Sequence, residues 1–304
     1  MTTSPCILPQ RVKVVNVASV PQRSPFRYPG GKTWLVPYVR RWLSSLGRRP
    51  KEFVEPFAGG GIVGLTVAAE DLADHVVIGE LDHGVAAVWH TMLSGDAEWL
   101  VARILRFGIT RANVVRTLST QARTRRELAF QTLLRNRVQR GGIMAPGASL
   151  VKNGENGRGV SSRWYADTLA KRIRAIARLG DRIEFREGDG FDLLRRFRHR
   201  KTVSFFIDPP YTSGGKRAGR RLYDHNQVDH DRLFNTMAKA PGSVMMTYDD
   251  TVEIRRLADQ HAFQIEKVPM KNTHHAVVYE LVVSNVGSCL EPALPVAREE
   301  SAYT

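Results

Sequence analysis

Short apolar runs and longer amphipathic stretches alternate along this chain. The runs Phe53–Pro56, Val76–Gly79, Ile183–Phe185, Val203–Ile207, Val244–Thr247, Phe263–Val268 and Val277–Val283 predict strands. Thr33–Leu46, Gly61–Ala69 and Asp167–Leu179 predict helices. In the last, Leu169, Ile173, Ile176 and Leu179 return at helical spacing, while Lys171, Arg172, Arg174 and Arg178 face elsewhere. Strands alternating with helices point to an α/β fold, a mostly parallel sheet covered by helices.

The rhythm breaks between residues 95 and 165. The first part of this stretch reads as helix and bears Arg103, Arg106, Arg111, Arg116, Arg123, Arg125, Arg126, Arg135, Arg137 and Arg140, with Glu127 the only acid between them. A glycine-rich stretch, Gly141 to Gly147, and a polar loop through Asn153–Gly157 follow. Long loops inside a compact domain are commonly functional or disordered. The expected organisation is a loosely attached arm over 1–24, a catalytic domain from 25–94 and 166–286, an inserted basic domain over 95–165, and a disordered tail over 287–304.

Charge adds a partner. Lys and Arg total 45 against 30 for Asp and Glu, a net +15, which attracts a polyanion, most commonly nucleic acid. Two cysteines, Cys6 and Cys289, stand near opposite ends, giving neither a disulfide framework nor metal-ligand spacing. No metal is therefore expected. No apolar run approaches the roughly 18 residues of a membrane helix, and Met1–Gln10 lacks the plan of a secretory signal. A cytoplasmic location without membrane contact is the expectation.

Two motifs carry candidate chemistry. In Pro56-Phe57-Ala58-Gly59-Gly60-Gly61-Ile62-Val63-Gly64, the residues Gly59, Gly61 and Gly64 match the dinucleotide spacing G-x-G-x-x-G after a strand and before a helix. Glu80 supplies the acid expected about 20 residues on. This pair fits a nicotinamide as well as another adenosyl cofactor. A second cluster, Tyr28-Pro29-Gly30-Gly31-Lys32-Thr33, lacks the upstream glycine of a phosphate-binding loop, since Phe26 stands there. The other motif, Asp208-Pro209-Pro210-Tyr211, ends the run Val203–Ile207. At the carboxyl end of a sheet strand it lies where such folds bind ligands. Prolines remove backbone donors, so carbonyls and the Asp208 carboxylate face a ligand as acceptors. Tyr211 would stack on a flat base whose amino group they hold.

Taken in order, these pieces resemble the DNA adenine methylase family, in the subclass whose cofactor motifs precede the recognition region. The resemblance rests on Tyr28-Pro29-Gly30-Gly31-Lys32, Val54-Glu55-Pro56-Phe57-Ala58-Gly59-Gly60-Gly61, Gly79-Glu80-Leu81-Asp82, Gly188-Asp189-Gly190, Asp208-Pro209-Pro210-Tyr211 and Tyr279-Glu280-Leu281-Val282-Val283-Ser284-Asn285. It implies a Rossmann-like fold of the S-adenosylmethionine-dependent methyltransferase type and transfer of a methyl group to N6 of adenine in double-stranded DNA. It further implies Tyr28 and Lys32 bordering the cofactor, Phe57 to Gly61, including Gly59, as its turn, and Glu80 on the ribose hydroxyls with Asp82 as fallback. Asp189 would stand near its adenine ring, and Asp208 would bind the target amine beside the methyl donor. The Pro209 carbonyl reads as the second acceptor for that amine. A cognate restriction nuclease is a partner consistent with this family. Two departures stand out: Glu80 where aspartate is expected, and a poor match over 95–165.

Cytosine-ring methylation needs a cysteine nucleophile, and both cysteines lie in terminal segments. Readings still open are methylation of cytosine N4 or of RNA, a nicotinamide oxidoreductase, and a DNA-binding module without activity. Within the insertion, Arg135, Arg137 and Arg140 are the expected DNA contacts, at least one on a guanine edge and the others on phosphates. The loop Ser213–Arg221 is the alternative reader.

Overall fold

In a computed structural model, which describes residues 14–27, 31–144, 148–210, 228–271 and 276–286, all of the apolar runs become strands of one sheet. These are β1 (Glu52–Glu55), β2 (His75–Glu80), β3 (Ile183–Glu187), β4 (Val203–Ile207), β5 (Ser243–Asp249), β6 (Gln264–Lys271) and β7 (Val277–Ser284). Their order across the sheet is β3-β2-β1-β4-β5-β7-β6. Neighbours from β3 to β5 pair in parallel, whereas β7 lies antiparallel between β5 and β6. Winding proceeds outward from β1 in one direction and from β4 in the other. The crevice at that reversal is where open α/β sheets bind ligands.

Central strands buried on both faces read as continuous apolar runs rather than alternation. β4 shows this, with all residues from Val203 to Ile207 buried. Successive side chains point to opposite faces, so Phe206 joins the core containing Trp42, Leu65 and Trp89, while Phe205 joins that of Val77, Phe234 and Tyr248. This is the mostly parallel, Rossmann-like architecture expected.

The helices are α1 (Val36–Ser45), α2 (Ile62–Ala69), α3 (His83–Leu93), α4 (Ala97–Leu105), α5 (Arg111–Ser119), α6 (Arg125–Val138), α7 (Ala166–Ala177), α8 (Gly190–Phe197), α9 (His230–Met237) and α10 (Val252–Gln260). The helix expected from Thr33 starts as a 3-10 turn, Lys32–Leu35, and becomes α-helical at Val36. Pro37 at the helix start has no amide to leave unpaired. The segment read as an insertion, residues 95–165, holds α4 to α6 and a tail of 3-10 turns, and Thr110 and Thr124 cap α5 and α6 through their side chains. Its apolar residues Phe130, Leu133 and Leu134 share one core with Val88 and Trp89 of α3. Gly84 of α3 lies so close to α6 that a β-carbon there would stand 2.8 Å from Thr132 Oγ1.

Residues 14–24 correct one expectation. The described part of the supposed loose arm is tied down: Val20 is buried, Arg23 pairs with Glu70 at 3.0 Å, and Arg172 Nη1 donates to Ser24 O at 2.9 Å. Prolines mark irregular backbone, and such backbone still packs when it carries an apolar anchor and satisfied carbonyls. The expected tail over 287–304 and both cysteines lie outside the described residues. Among the described residues, no helix is long and apolar enough to cross a membrane.

Candidate active site

The chain leaves β1 in a turn that only glycine fits well. Gly59 and Gly61 take φ of +50° and +59°, which L side chains rarely adopt. A β-carbon on Gly61 would lie 2.5 Å from Trp89 Cζ2. Trp89 Nε1 donates to Gly59 O at 3.0 Å, so this tryptophan of α3 floors the turn. Behind it, Gly64 N donates to Glu55 Oε2 at 2.7 Å. Burial pushes the Glu55 carboxyl up to about 8, against the stabilising Gly64 bond and with help from the negative Asp208.

Glu80 ends β2 beside this turn. Its Oε2 accepts from Gly59 N at 2.8 Å, and its Oε1 accepts from Leu81 N and Asp82 N, each at 2.8 Å. A carboxylate offers about four acceptor directions, so roughly one remains for a ligand hydroxyl. Backbone amides thus occupy most of the acceptor capacity that the expected grip on two ribose hydroxyls would draw on. Burial, joined by repulsion from Asp82, raises Glu80 to about 7 despite these amide bonds. Asp82 is itself committed at Oδ1, accepting from Val85 N at 2.8 Å as the cap of α3.

Asp208 directly follows β4 at the reversal of the sheet. Its Oδ1 accepts from Thr247 Oγ1 at 2.8 Å and lies 3.0 Å from Lys32 Nζ. Lys32 is buried, and its ammonium also stands 3.3 Å from Glu280 Oε2 of β7. Residues 32, 208, 247 and 280 thus meet at one strand end, brought together by the placement of β7 next to β5. Among the described residues, Asp208 Oδ2 accepts no hydrogen bond, and the buried Pro209 follows with no backbone donor. Lys32, expected at the cofactor's border, therefore has its charge committed to two carboxylates.

Residues 28–79 match the D12 class N6 adenine-specific DNA methyltransferase family. The match begins in the Tyr28–Lys32 cluster and ends at Gly79, so it spans the glycine turn and stops short of Asp208. No curated protein matches the chain. Solved structures resemble it weakly. A candidate RNA methyltransferase from Pyrococcus horikoshii is 11% identical, covering 85% of this chain and 84% of its own, with a TM-score of 0.37. The precorrin-6y C5,15-methyltransferase from Geobacter metallireducens is 9% identical, covering 81% and 85%, with a TM-score of 0.34. Neither bears on the substrate. The family match and the strand-end chemistry support a methyltransferase, and the family implies S-adenosylmethionine.

The remaining candidates fall into three groups. Tyr28, Tyr211 and the loop Ser213–Arg221 lie outside the described residues. Phe57 and Asp189 border the turn: the Phe57 ring meets Phe191 edge-on at 6.4 Å, and Asp189 caps α8 by accepting from Phe191 N at 2.9 Å. Gly188 N donates to Glu80 O at 2.9 Å, which sets Asp189 beside the end of β2. The arginines divide. Arg140 is exposed and Arg135 half-buried, but Arg137 is buried and its Nη2 donates to Pro25 O. Burial pulls its pKa down to about 9. Arg137 is therefore not a DNA contact: its position on α6 points it into the protein, against the chain entering the core.

Elsewhere in the insertion, Arg103 lies over the Phe130 ring, Arg126 over Trp99 and beside Asp96, and Arg116 bonds Asn113. Arg123, Arg125 and Arg135 instead line a cleft of about 580 Å³ between α5, α6 and the start of α3, with His83 and Gln131.

Sequence reasoning gave no role to Glu55, Trp89, Thr247 or Glu280. Glu55 and Glu280 carried a signal, each as an acid inside an apolar run, Phe53–Pro56 and Val277–Val283.

Proposed function

We propose that the chain transfers a methyl group from S-adenosylmethionine to the N6 amino group of adenine in double-stranded DNA. The observation that carries this reading is Asp208, held at Oδ1 by Lys32 and Thr247 where the chain leaves β4, directly before Pro209. An adenine amine is a weak nucleophile because its lone pair is delocalised into the ring. Asp208 Oδ2 and the Pro209 carbonyl are two acceptors suited to its two N–H bonds. Holding both favours a pyramidal nitrogen with its lone pair free. One N–H proton must leave for each methyl gained, and Asp208 Oδ2 would receive it. Orientation and electrostatics, rather than a covalent intermediate, supply the acceleration.

The residues present fit the methyl donor. A glycine turn admits close backbone approach, Glu80 keeps one acceptor direction for a hydroxyl, and Phe57 offers an apolar surface. When bound, S-adenosylmethionine supplies an electrophilic methyl group on a sulfonium. Asp189, at the adjacent strand end, would border its adenine ring.

A base inside a duplex must flip out, at a cost of a few kcal/mol. One aromatic stack returns about 1–3 kcal/mol, so phosphate contacts must help. Arg123, Arg125 and Arg135 in their cleft, with the net charge of +15, support a DNA path there.

The test is transfer from radiolabelled S-adenosylmethionine to duplex DNA, single-stranded DNA and RNA, followed by nucleoside analysis. Label in N6-methyldeoxyadenosine from duplex DNA is expected. Label in N4-methylcytosine, or in RNA alone, would replace the substrate, and no transfer to any of them would overturn the reading.

A further inference from the structure

We infer that Glu280 is a positioning residue for methyl transfer, acting through Lys32 to set how strongly Asp208 accepts from the target amine. This rests on the reaction proposed above. Glu280 is an acid inside a buried strand, 6% exposed, and its Oε2 lies 3.3 Å from Lys32 Nζ. Lys32 Nζ is closer to Asp208 Oδ1, at 3.0 Å. One buried cation therefore bridges the acceptor on β4 and a second carboxylate on β7. Buried ion pairs contribute little net stability over apolar packing, so stability gives this arrangement no purpose of its own.

The charged groups around Glu280 define how the bridge works. Lys32 faces it from the turn before α1, and Asp208 from the end of β4. Asp249 stands opposite on β5, and Val268, uncharged, stands opposite on β6. Lys267 on β6 is held by Asp250 at 3.1 Å. Beyond Asp208 lies Glu55 on β1, and Tyr248 on β5 carries the His230 contact at 3.2 Å.

When Glu280 is ionised, it shares the ammonium of Lys32, and Asp208 keeps more of its negative charge for the amine. When Glu280 is protonated, the charge of Lys32 acts more strongly on Asp208, and Asp208 Oδ2 becomes a weaker acceptor of the departing N–H proton. Burial raises the Glu280 carboxyl to about 7; Lys32 opposes that shift, while Asp208 and Asp249 add to it. The exchange between the two states thus falls within an enzyme's working range.

The test is single-turnover methyl transfer as a function of pH, with S-adenosylmethionine and DNA both saturating. Wild-type protein should show a rate that climbs with pH through about 7. Glu280→Gln keeps the size of the side chain and cannot ionise. It should lose that limb and run about tenfold slower on the alkaline plateau, equivalent to about 1.4 kcal/mol of barrier, with unchanged affinity for S-adenosylmethionine. Glu280→Asp should restore a displaced limb, and it is the deciding variant if Glu280→Gln does not fold. An unmoved limb and rate in Glu280→Gln, or a flat profile in a folded Glu280→Asp, would overturn the inference alone. Absence of transfer by wild-type protein to any nucleic acid would overturn the proposed function and this inference with it.

Discussion

Two carboxylates stand at the carboxyl edge of the same sheet, and they are held in opposite ways. Glu80 is gripped by backbone: the amides of Gly59, Leu81 and Asp82 donate to it, each at 2.8 Å. Asp208 is gripped by side chains, Lys32 and Thr247, both at Oδ1. Backbone amides cannot change charge, so Glu80 is part of the turn as much as part of a binding site. A network of titratable side chains can change charge, so Asp208 is open to tuning. In the proposed reaction, binding falls to the rigid end and chemistry to the adjustable one.

The largest expected effect comes from breaking the adjustable end. Asp208→Ala should lower the methyl-transfer rate by a factor of roughly 10² to 10⁴, as loss of an oriented proton acceptor does. Affinity for S-adenosylmethionine and the thermal midpoint should change far less. Near-normal turnover in a folded variant would show that the two ends do not divide the work in this way.

Glu80→Ala attacks the rigid end and should do two things at once. It should weaken binding of S-adenosylmethionine by about 1.5–3 kcal/mol, the value of one hydrogen bond to a charged group, as read by calorimetry. It should also lower the melting temperature, because three amides lose their acceptor. Loss of affinity without loss of stability would mean that the backbone grip is incidental. Because burial raises Glu80 to about 7, its ionised, fully accepting form gains population as pH rises through that value. Affinity for S-adenosylmethionine should therefore rise with it. That limb belongs to binding and disappears at saturation, which separates it from the Glu280 limb in the transfer step.

A smaller effect concerns stability. Glu55 is pushed from 4.5 up to about 8 in the folded chain. Between those values the folded state holds a proton that the unfolded state has lost, so stability should fall as pH rises across that window. Glu55→Gln should flatten the dependence of the melting temperature on pH between about 5 and 8, without abolishing it, since Glu80 and Glu280 share the same sign. An unchanged slope would mean that Glu55 is ionised in the folded chain.

Much of this was legible in the sequence for physical reasons. Buried parallel strands are continuous apolar runs, so β1, β2, β4 and β5 stood out, while the edge strand β3 showed by alternation, and Gly59 and Gly61 are fixed by a turn that side chains would obstruct. Asp208 could be found because prolines after a buried strand leave acceptors at its end. The Lys32–Asp208–Glu280 bridge could not be found this way. Its members are far apart in the chain and meet only because β7 inserts between β5 and β6, a pairing that local patterns do not encode. Arg137 was misread for a related reason. Most of α6 is buried, including the polar residues Gln131, Thr132 and Asn136, because α3 packs on one side and Arg27 bonds Asn136 on another. A helix enclosed on several sides loses the polar stripe that would have shown which arginines face out.

That correction yields the most discriminating comparison within the insertion. Arg123, Arg125 and Arg135 share a cleft, and Arg137, two residues beyond Arg135 on the same helix, points into the protein. Each has the same formal charge and contributes equally to the net +15. If DNA is held by overall charge, neutralising any of the four should weaken binding alike. If it is held in the cleft, the effects should split. Replacing one of Arg123, Arg125 or Arg135 with Ala should lower the slope of log affinity against log salt by about one unit for each phosphate no longer neutralised. One that reads a base edge should instead cost about 1–3 kcal/mol at the true site and relax its sequence preference. Arg137→Ala should lower the melting temperature, since Pro25 O loses its donor, yet leave the salt slope unmoved in the folded fraction. Equal slopes for all four variants would remove the cleft from the DNA path and return recognition to Arg140 or to the loop Ser213–Arg221.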